Sequence, residues 1–297
     1  MLDYLTNTKY GRGLPLSSVD LETFYNAAQI CNKIVQANVS VAGSYWKAKG
    51  IDKRNLPLYE CNLAIDTSQS VRDNVISILA TMGDAELVWS GGVYRLQLQY
   101  PNDLGETVIA GSITDDEIVR SNIDVNYPNA SERLNFHTVT FKDESEDFKQ
   151  NSASWPPKTS SVYSNYLATD NFTPLEGSST EQGITDYYHA LAKAEEMVRS
   201  SRANVTYSFT INISSNVYEP GDIILVNSLI AGINNEYLRI RDLKFTNEGT
   251  AEIVATKYDP DVLAWNARDD QVVNPRNNYT FDVEAPTSLV LQPNTTG

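Results

Sequence analysis

Apolar positions along the chain switch between two spacings, and the switches mark out elements. Leu21, Phe24, Ala28, Cys31 and Val35 recur at helical spacing, which predicts a helix over residues 19–35 with one buried face. Ser17-Ser18-Val19-Asp20 supplies capping residues at its start. A polar, irregular stretch runs on to about Asn55, and residues 59–66 read as a strand. A second helix is predicted from Ser70-Val71-Arg72-Asp73, with Val71, Val75, Ile78 and Met82 as its stripe and Gly83 as its stop. Residues 86–90 and 93–100 flank Gly91-Gly92, a hairpin signal in which the glycines supply the positive φ of a tight turn. Tyr94, Leu96, Leu98 and Tyr100 alternate with Arg95, Gln97 and Gln99, so one face is expected dry and the other wet. Residues 1–108 are therefore expected to form one mixed α+β domain.

A new segment opens at Asp115-Asp116-Glu117-Ile118. Residues 123–127 and 134–141 alternate as strands do, whereas residues 142–166, rich in Asp, Glu, Ser and Pro, read as a loop. A helix is predicted over residues 184–202, with Ile184, Tyr188, Leu191, Ala194 and Val198 inward. Four strand patterns follow at 205–213, 223–226, 236–245 and 250–258, with turns at Pro220-Gly221 and Asn234-Asn235. Short strands, turns and one helix predict a small β-barrel domain over residues 109–262 with an inserted loop and helix. The fold class expected is thus α+β. After Asp259-Pro260-Asp261 the periodicity fades: residues 267–280 read as linker, and residues 285–291 as a lone strand that cannot bury its own face. There is no internal repeat at solenoid length.

Composition narrows the function classes. The chain has 297 residues, of which 41% are hydrophobic and 17 are tyrosine, enough to build a core and to exclude a disordered chain. No apolar run approaches the roughly 20 residues needed to span a bilayer, and residues 1–12 lack the apolar centre of a secretory signal. The net charge is −15. Tight phosphate binding needs clustered Lys and Arg, and no such stripe is present, so specific nucleic-acid binding is not expected. Cys31 and Cys61 read as buried thiols of a chain made in a reducing cytosol, with a disulfide left open.

The candidate chemistry is thin. There is no Gly-x-Ser-x-Gly elbow. His137 lies in a strand pattern, and His189 falls on the polar face of its predicted helix, so each reads as structural or solvated. A glycosidase needs two carboxylates across a sugar cleft; among Trp46, Trp89, Trp155 and Trp265, Trp155 before Pro156-Pro157 is the best surface aromatic and Trp89 the expected core residue. Asp143-Glu144-Ser145-Glu146-Asp147 and Asp259-Pro260-Asp261 offer oxygen ligands but lack the glycine and terminal Glu of a calcium loop, so both read as solvated acidic segments. Gly11-Arg12-Gly13 lacks the rest of any nucleotide fingerprint. The Asn-x-Ser/Thr sites at Asn38, Asn204, Asn212 and Asn278 are discounted without a signal peptide. No catalytic, cofactor or metal residue is assigned; Tyr10, Gly11, Trp89, Gly91, Gly92, Pro220 and Gly221 are expected to shape the fold.

Three pieces, in order, carry a resemblance: Tyr10-Gly11-Arg12-Gly13 before the first helix, the Trp89-Ser90-Gly91-Gly92 hairpin, and the Tyr218-Glu219-Pro220-Gly221-Asp222-Ile223 turn. With Cys61-Asn62-Leu63 and Ala285-Pro286-Thr287-Ser288-Leu289, they resemble the central part of phage tail tip attachment proteins, the family of the lambda host-specificity protein J. The resemblance covers about residues 1–290. It implies a non-enzymatic baseplate-hub protein of the virion, assembled in the host cytoplasm as a homotrimer around the tail axis. Its barrels would stand as pseudo-sixfold rings continuing the tail tube, closing it before infection and opening for DNA. The partners implied are the tail tube or distal tail protein, the tape measure protein and other tail tip proteins, with DNA passing through the lumen unbound. Receptor binding would belong to distal regions, and residues 263–297 would hold a linker and the start of a fibronectin type III-like segment. The chain departs from the family in length, which implies either a piece of a longer protein or one part of a split hub. The alternative reading is a surface adhesin or carbohydrate-binding module.

Overall fold

The computed structural model describes residues 1–38, 53–101, 106–129, 132–212, 218–246 and 249–263. Its first unit begins with α1 (Leu2–Thr6), followed by α2 (Leu21–Cys31), the ribbon β1 (Ile34–Asn38) and β2 (Lys53–Pro57), α3 (Val71–Leu79), and the hairpin β3 (Ala85–Ser90) and β4 (Val93–Leu98). Both helix starts are capped as the sequence predicts: Asp20 accepts from the Glu22 N–H, and Ser70 from the Asp73 N–H. Gly91 and Gly92 both take positive φ, 60° and 85°, and close the turn between the paired Ser90 and Val93. Helix α2 lies across β4, and the core gathers Tyr4, Leu5, Phe24, Ala27, Ile78, Met82, Leu96 and Leu98.

Three expectations change here. The buried face of α2 is Phe24 and Ala27, with Ile30 and Cys31 packed alongside; Leu21 and Ala28 of the expected stripe are exposed, as is Val71 on α3. Residues 59–66 form no strand. Their backbone is satisfied across the molecule instead, with Asn62 N–H donating to Gly183 O at 2.9 Å. The strand that was expected there lies earlier, as β2 paired antiparallel with β1.

The second unit is a six-stranded sheet in the order β5-β11-β12-β13-β10-β6. Its strands are β5 (Gly111–Thr114), β6 (Ile118–Asn126), β10 (Thr206–Asn212), β11 (Ile223–Ser228), β12 (Ile233–Phe245) and β13 (Thr250–Lys257). All neighbours are antiparallel except β5 and β11. The two edge strands, β5 and β6, are consecutive in the chain and joined only by residues 115–117. The sheet must therefore curl until its edges approach, and Asn212 N–H at the end of β10 reaches Glu117 O at 2.9 Å. Among the described residues no ladder joins β5 to β6, so the sheet is a half-barrel. Ile224, Val226, Leu238, Ile240, Ile253 and Ala255 fill its interior.

Between β6 and β10 stands a folded unit with its own core, more than the expected loop and helix. It comprises β7 (Phe136–Asp143), β8 (Lys149–Trp155), α4 (Ser161–Thr169), β9 (Glu176–Thr180) and α5 (Tyr187–Ala203), with the sheet ordered β8-β7-β9 and α5 packed on β7 and β8. Val139, Phe141, Trp155, Leu191, Ala194 and Val198 form that core. The segment 142–166 thus holds a strand and the start of a helix. Strand β8 is an edge strand in which only Ala153 and Trp155 are apolar and buried, so its polar side masked it. The overall class, α+β with a curled barrel-like sheet carrying helices, is the one the sequence predicts.

Candidate functional site

The residues singled out from sequence do not assemble into a catalytic centre. His137 is buried in β7 with Nε2 3.2 Å from Ser179 Oγ, and burial, with Lys193 nearby, lowers its pKa. His189 is buried, not on a wet face: its Nε2 lies 2.8 Å from Pro57 O, a carbonyl that only accepts, so that nitrogen carries the proton. The two tryptophan expectations are reversed. Trp155 is 2% exposed inside the inserted unit, whereas Trp89 is 56% exposed on the hairpin, edge-on to Tyr94 at 4.6 Å. Tyr10 stands at the surface, its hydroxyl donating to Asp3 Oδ2 at 2.5 Å.

The acidic segment is not simply solvated. Asp143 is buried and accepts from Asn151 Nδ2 and from Ser145 N–H, both at 2.9 Å. At the other acidic pair, Asp259 Oδ1 accepts from Asp261 N–H at 3.0 Å. Among the described residues no group of three His, Cys, Asp or Glu could hold a metal, and no helix is long and apolar enough to cross a membrane. Both cysteines are free thiols; Cys61 is exposed, against the buried position expected, and burial pushes Cys31 up to about 11. Trp46, Trp265, Asn278 and the segments 267–280 and 285–291 lie outside the described residues.

What the fold does bring together is charge at the seams between units. Strand β12 carries Arg239 and Arg241 on one side, and the first unit inserts Asp84 and Glu86 between them. Arg239 is fully buried. Its Nη1 pairs with the Asp84 carboxylate and donates to Asp84 O at 2.6 Å, while Nη2 lies 3.4 Å from Glu86 Oε2. Arg241 pairs with Glu86 through Nη1, lies 3.4 Å from Asp84 Oδ2 through Nη2, and donates from Nε to Thr256 Oγ1 at 2.8 Å. Burial alone would raise the Asp84 pKa, but Arg239 and Arg241 outweigh it and hold the carboxyl below its usual range. A buried guanidinium without such partners would be strongly unfavourable, so removing either carboxylate from Arg239 is costly.

Further contacts extend the seam. Arg95 on β4 pairs with Glu219 and lies 3.2 Å from Asp20 Oδ2, while Gln99 Nε2 donates to Gly221 O at 2.9 Å. Gly221 has φ +94°, an angle that strains any residue with a Cβ, and a Cβ there would push aside the end of the Gln97 side chain, so the turn favours glycine against β4. Against the inserted unit, Arg54 on β2 pairs with Asp186, the N-cap of α5, and with Glu144 at 3.0 Å. Asn62 Nδ2 adds a bond to Thr185 Oγ1 at 2.9 Å. Sequence reasoning named Gly221 as a turn residue, Asp20 as a cap and Glu144 in an acidic segment, but assigned none of these residues to a contact between units. The one signal available was Leu238-Arg239-Ile240-Arg241, two arginines alternating with apolar residues along the strand.

No family model matches the chain. Over 99% of its length it is 22% identical to the baseplate hub protein pb3 of Escherichia phage T5, and it spans 30% of that protein. A chain from the virion of a native gene transfer agent particle shares the fold, with a TM-score of 0.51 at 13% identity over 71% of this chain and 42% of that one. The similarity is to a baseplate hub protein of a phage. It does not single out the host-specificity protein J family.

Proposed function

We propose that this chain forms part of the central hub of a phage tail baseplate. In this reading a homotrimer surrounds the tail axis, its half-barrels stand in a pseudo-sixfold ring below the tail tube, and the ring closes the tube until DNA passes. Residues 1–108 lock the ring, residues 109–262 build it, and residues 263–297 lead towards distal parts. The tail tube or distal tail protein and the tape measure protein are its neighbours, and assembly takes place in the host cytoplasm. No catalysis, cofactor or metal has a part.

The observation that carries the reading is similarity to a baseplate hub protein along almost the whole chain. The ion-paired seams support it, because a ring wall under load needs units that do not slide past one another. The net charge of −15 suits a wall that must not hold DNA. The test is the mass of the purified chain in solution, alone and with candidate tail proteins, followed by electron microscopy of any assembly. A mass three times the 33.0 kDa of the chain, or rings capping tail tubes, is expected. A monomer that joins no tail protein would refute it. Trp89, exposed beside Tyr94, favours a second reading, a carbohydrate-binding module; a glycan array without a hit would remove that one.

A further inference from the structure

The first unit carries an open apolar groove of about 730 Å³ between α2, the end of α3 and residues 59–61. Phe24, Ala27, Ile78, Met82 and Leu96 make its floor, all buried. One wall is the outer stripe of α2. Leu21, Tyr25 and Ala28 stand at i, i+4 and i+7, and Tyr25 is 64% exposed. Leu21 and Ala28 belong to the stripe that the sequence predicts to be buried, and nothing in the chain's described residues covers them.

We propose that this groove takes the apolar face of an amphipathic helix from another protein, one flanked by lysine or arginine. Three observations select that occupant. The exposed stripe has helical spacing and runs about 10 Å along α2, the length over which a docked helix offers i, i+4 and i+7 anchors. An added strand has no ladder to join: β4 pairs with β3 on one edge, and its other edge is bridged by Val19 at Tyr94. The charged groups in the lining are the exposed Asp3 and Glu60 carboxylates and the single Met1 ammonium, a net negative wall, so basic flanks on the incoming helix are attracted. A second copy of this chain fits badly, because each copy carries a net charge of −15. The inference stands on the groove and does not depend on the hub reading.

The test uses the whole chain and two fluorescent synthetic peptides of identical leucine pattern, one with lysine and one with glutamate at the polar positions. Fluorescence anisotropy at physiological salt reads binding, and light scattering reads self-association. The Leu/Lys peptide is expected to bind saturably, with affinity falling at least tenfold for Leu21→Asp/Tyr25→Ser and unchanged for Trp89→Ser. Both variants alter exposed residues, and circular dichroism checks that each is folded. Binding that survives Leu21→Asp/Tyr25→Ser is mere adsorption to an acidic surface and overturns the proposal. Equal binding of both peptides overturns it, as does binding of neither. A dimer of the chain that dissociates on Tyr25→Ser replaces the proposed occupant with a second copy.

Discussion

Asp84→Ala puts the seam to the test. The substitution removes a carboxylate paired with the fully buried Arg239 and 3.4 Å from Arg241. Stripping one partner from a buried ion pair costs about 3–5 kcal/mol. Here the loss is smaller for two reasons. The Asp84 side chain is 35% exposed, so water already screens part of the pair. Arg239 also keeps the Asp84 carbonyl at 2.6 Å and Glu86 at 3.4 Å. A loss of about 2–3 kcal/mol follows, which for a chain of this size lowers Tm by about 4–10 °C. The companion Asp84→Ala/Arg239→Met removes both charges and is expected to recover at least about 1 kcal/mol of that loss, a coupling that a double-mutant cycle reads directly. Thermal and denaturant unfolding of Asp84→Ala, Arg239→Met, the double variant and the parent supply the numbers. If Asp84→Ala stays within about 0.5 kcal/mol of the parent, the range of an ordinary surface change, the seam is not holding the units together.

Four other outcomes are expected. Because Arg239 and Arg241 hold the Asp84 carboxyl below its ordinary value of 3.8 in the folded protein, its contribution is present above that value and lost as pH falls beneath it. Denaturant midpoints from pH 7 to 3 should therefore fall less steeply for Asp84→Asn than for the parent. Gly221→Ala, at φ +94° and against Gln97, should destabilise by about 1–3 kcal/mol in the same assay. Trp155→Ala should cost about 3–5 kcal/mol by emptying the inserted core, and Trp89→Ser less than about 0.5 kcal/mol; equal effects would mean their burial is wrongly assigned. Maleimide labelling near neutral pH, followed by peptide mass spectrometry, should modify exposed Cys61 well before Cys31, whose thiol burial pushes up to about 11.

The parts of the fold legible in the sequence are those whose signal is local. Ser70 and Asp20 announce their helices because a cap acts within three residues. Gly91-Gly92 announces its hairpin because both residues need positive φ. Strand β8 is hidden because it lies at the sheet edge, where five of its seven residues are polar. The exchange of roles between Trp89 and Trp155 has one cause. A two-stranded hairpin cannot cover both its faces, so an aromatic in a strand pattern is not thereby a core residue. The seam is silent in the sequence because Asp84 and Arg239 are 155 positions apart; each alone is an ordinary charge. The stripe of α2 was legible as apolar, but nothing local says whether the chain itself or another molecule covers it.

The position of the inserted unit has a consequence for how such proteins change over time. Asn126 at the end of β6 and Thr206 at the start of β10 are directly paired neighbours in the half-barrel, so the chain leaves and returns one strand spacing apart, about 5 Å. A tight turn could span that gap. The intervening unit is thus a cassette on a closed hairpin, free to grow, shrink or be exchanged between lineages without moving a single ladder bond beneath it. Its ties to the first unit include Arg54 with Asp186 and Glu144, Asn62 with Thr185 and Gly183, and His189 with Pro57, and a transplanted cassette would need to present matching groups at each of them.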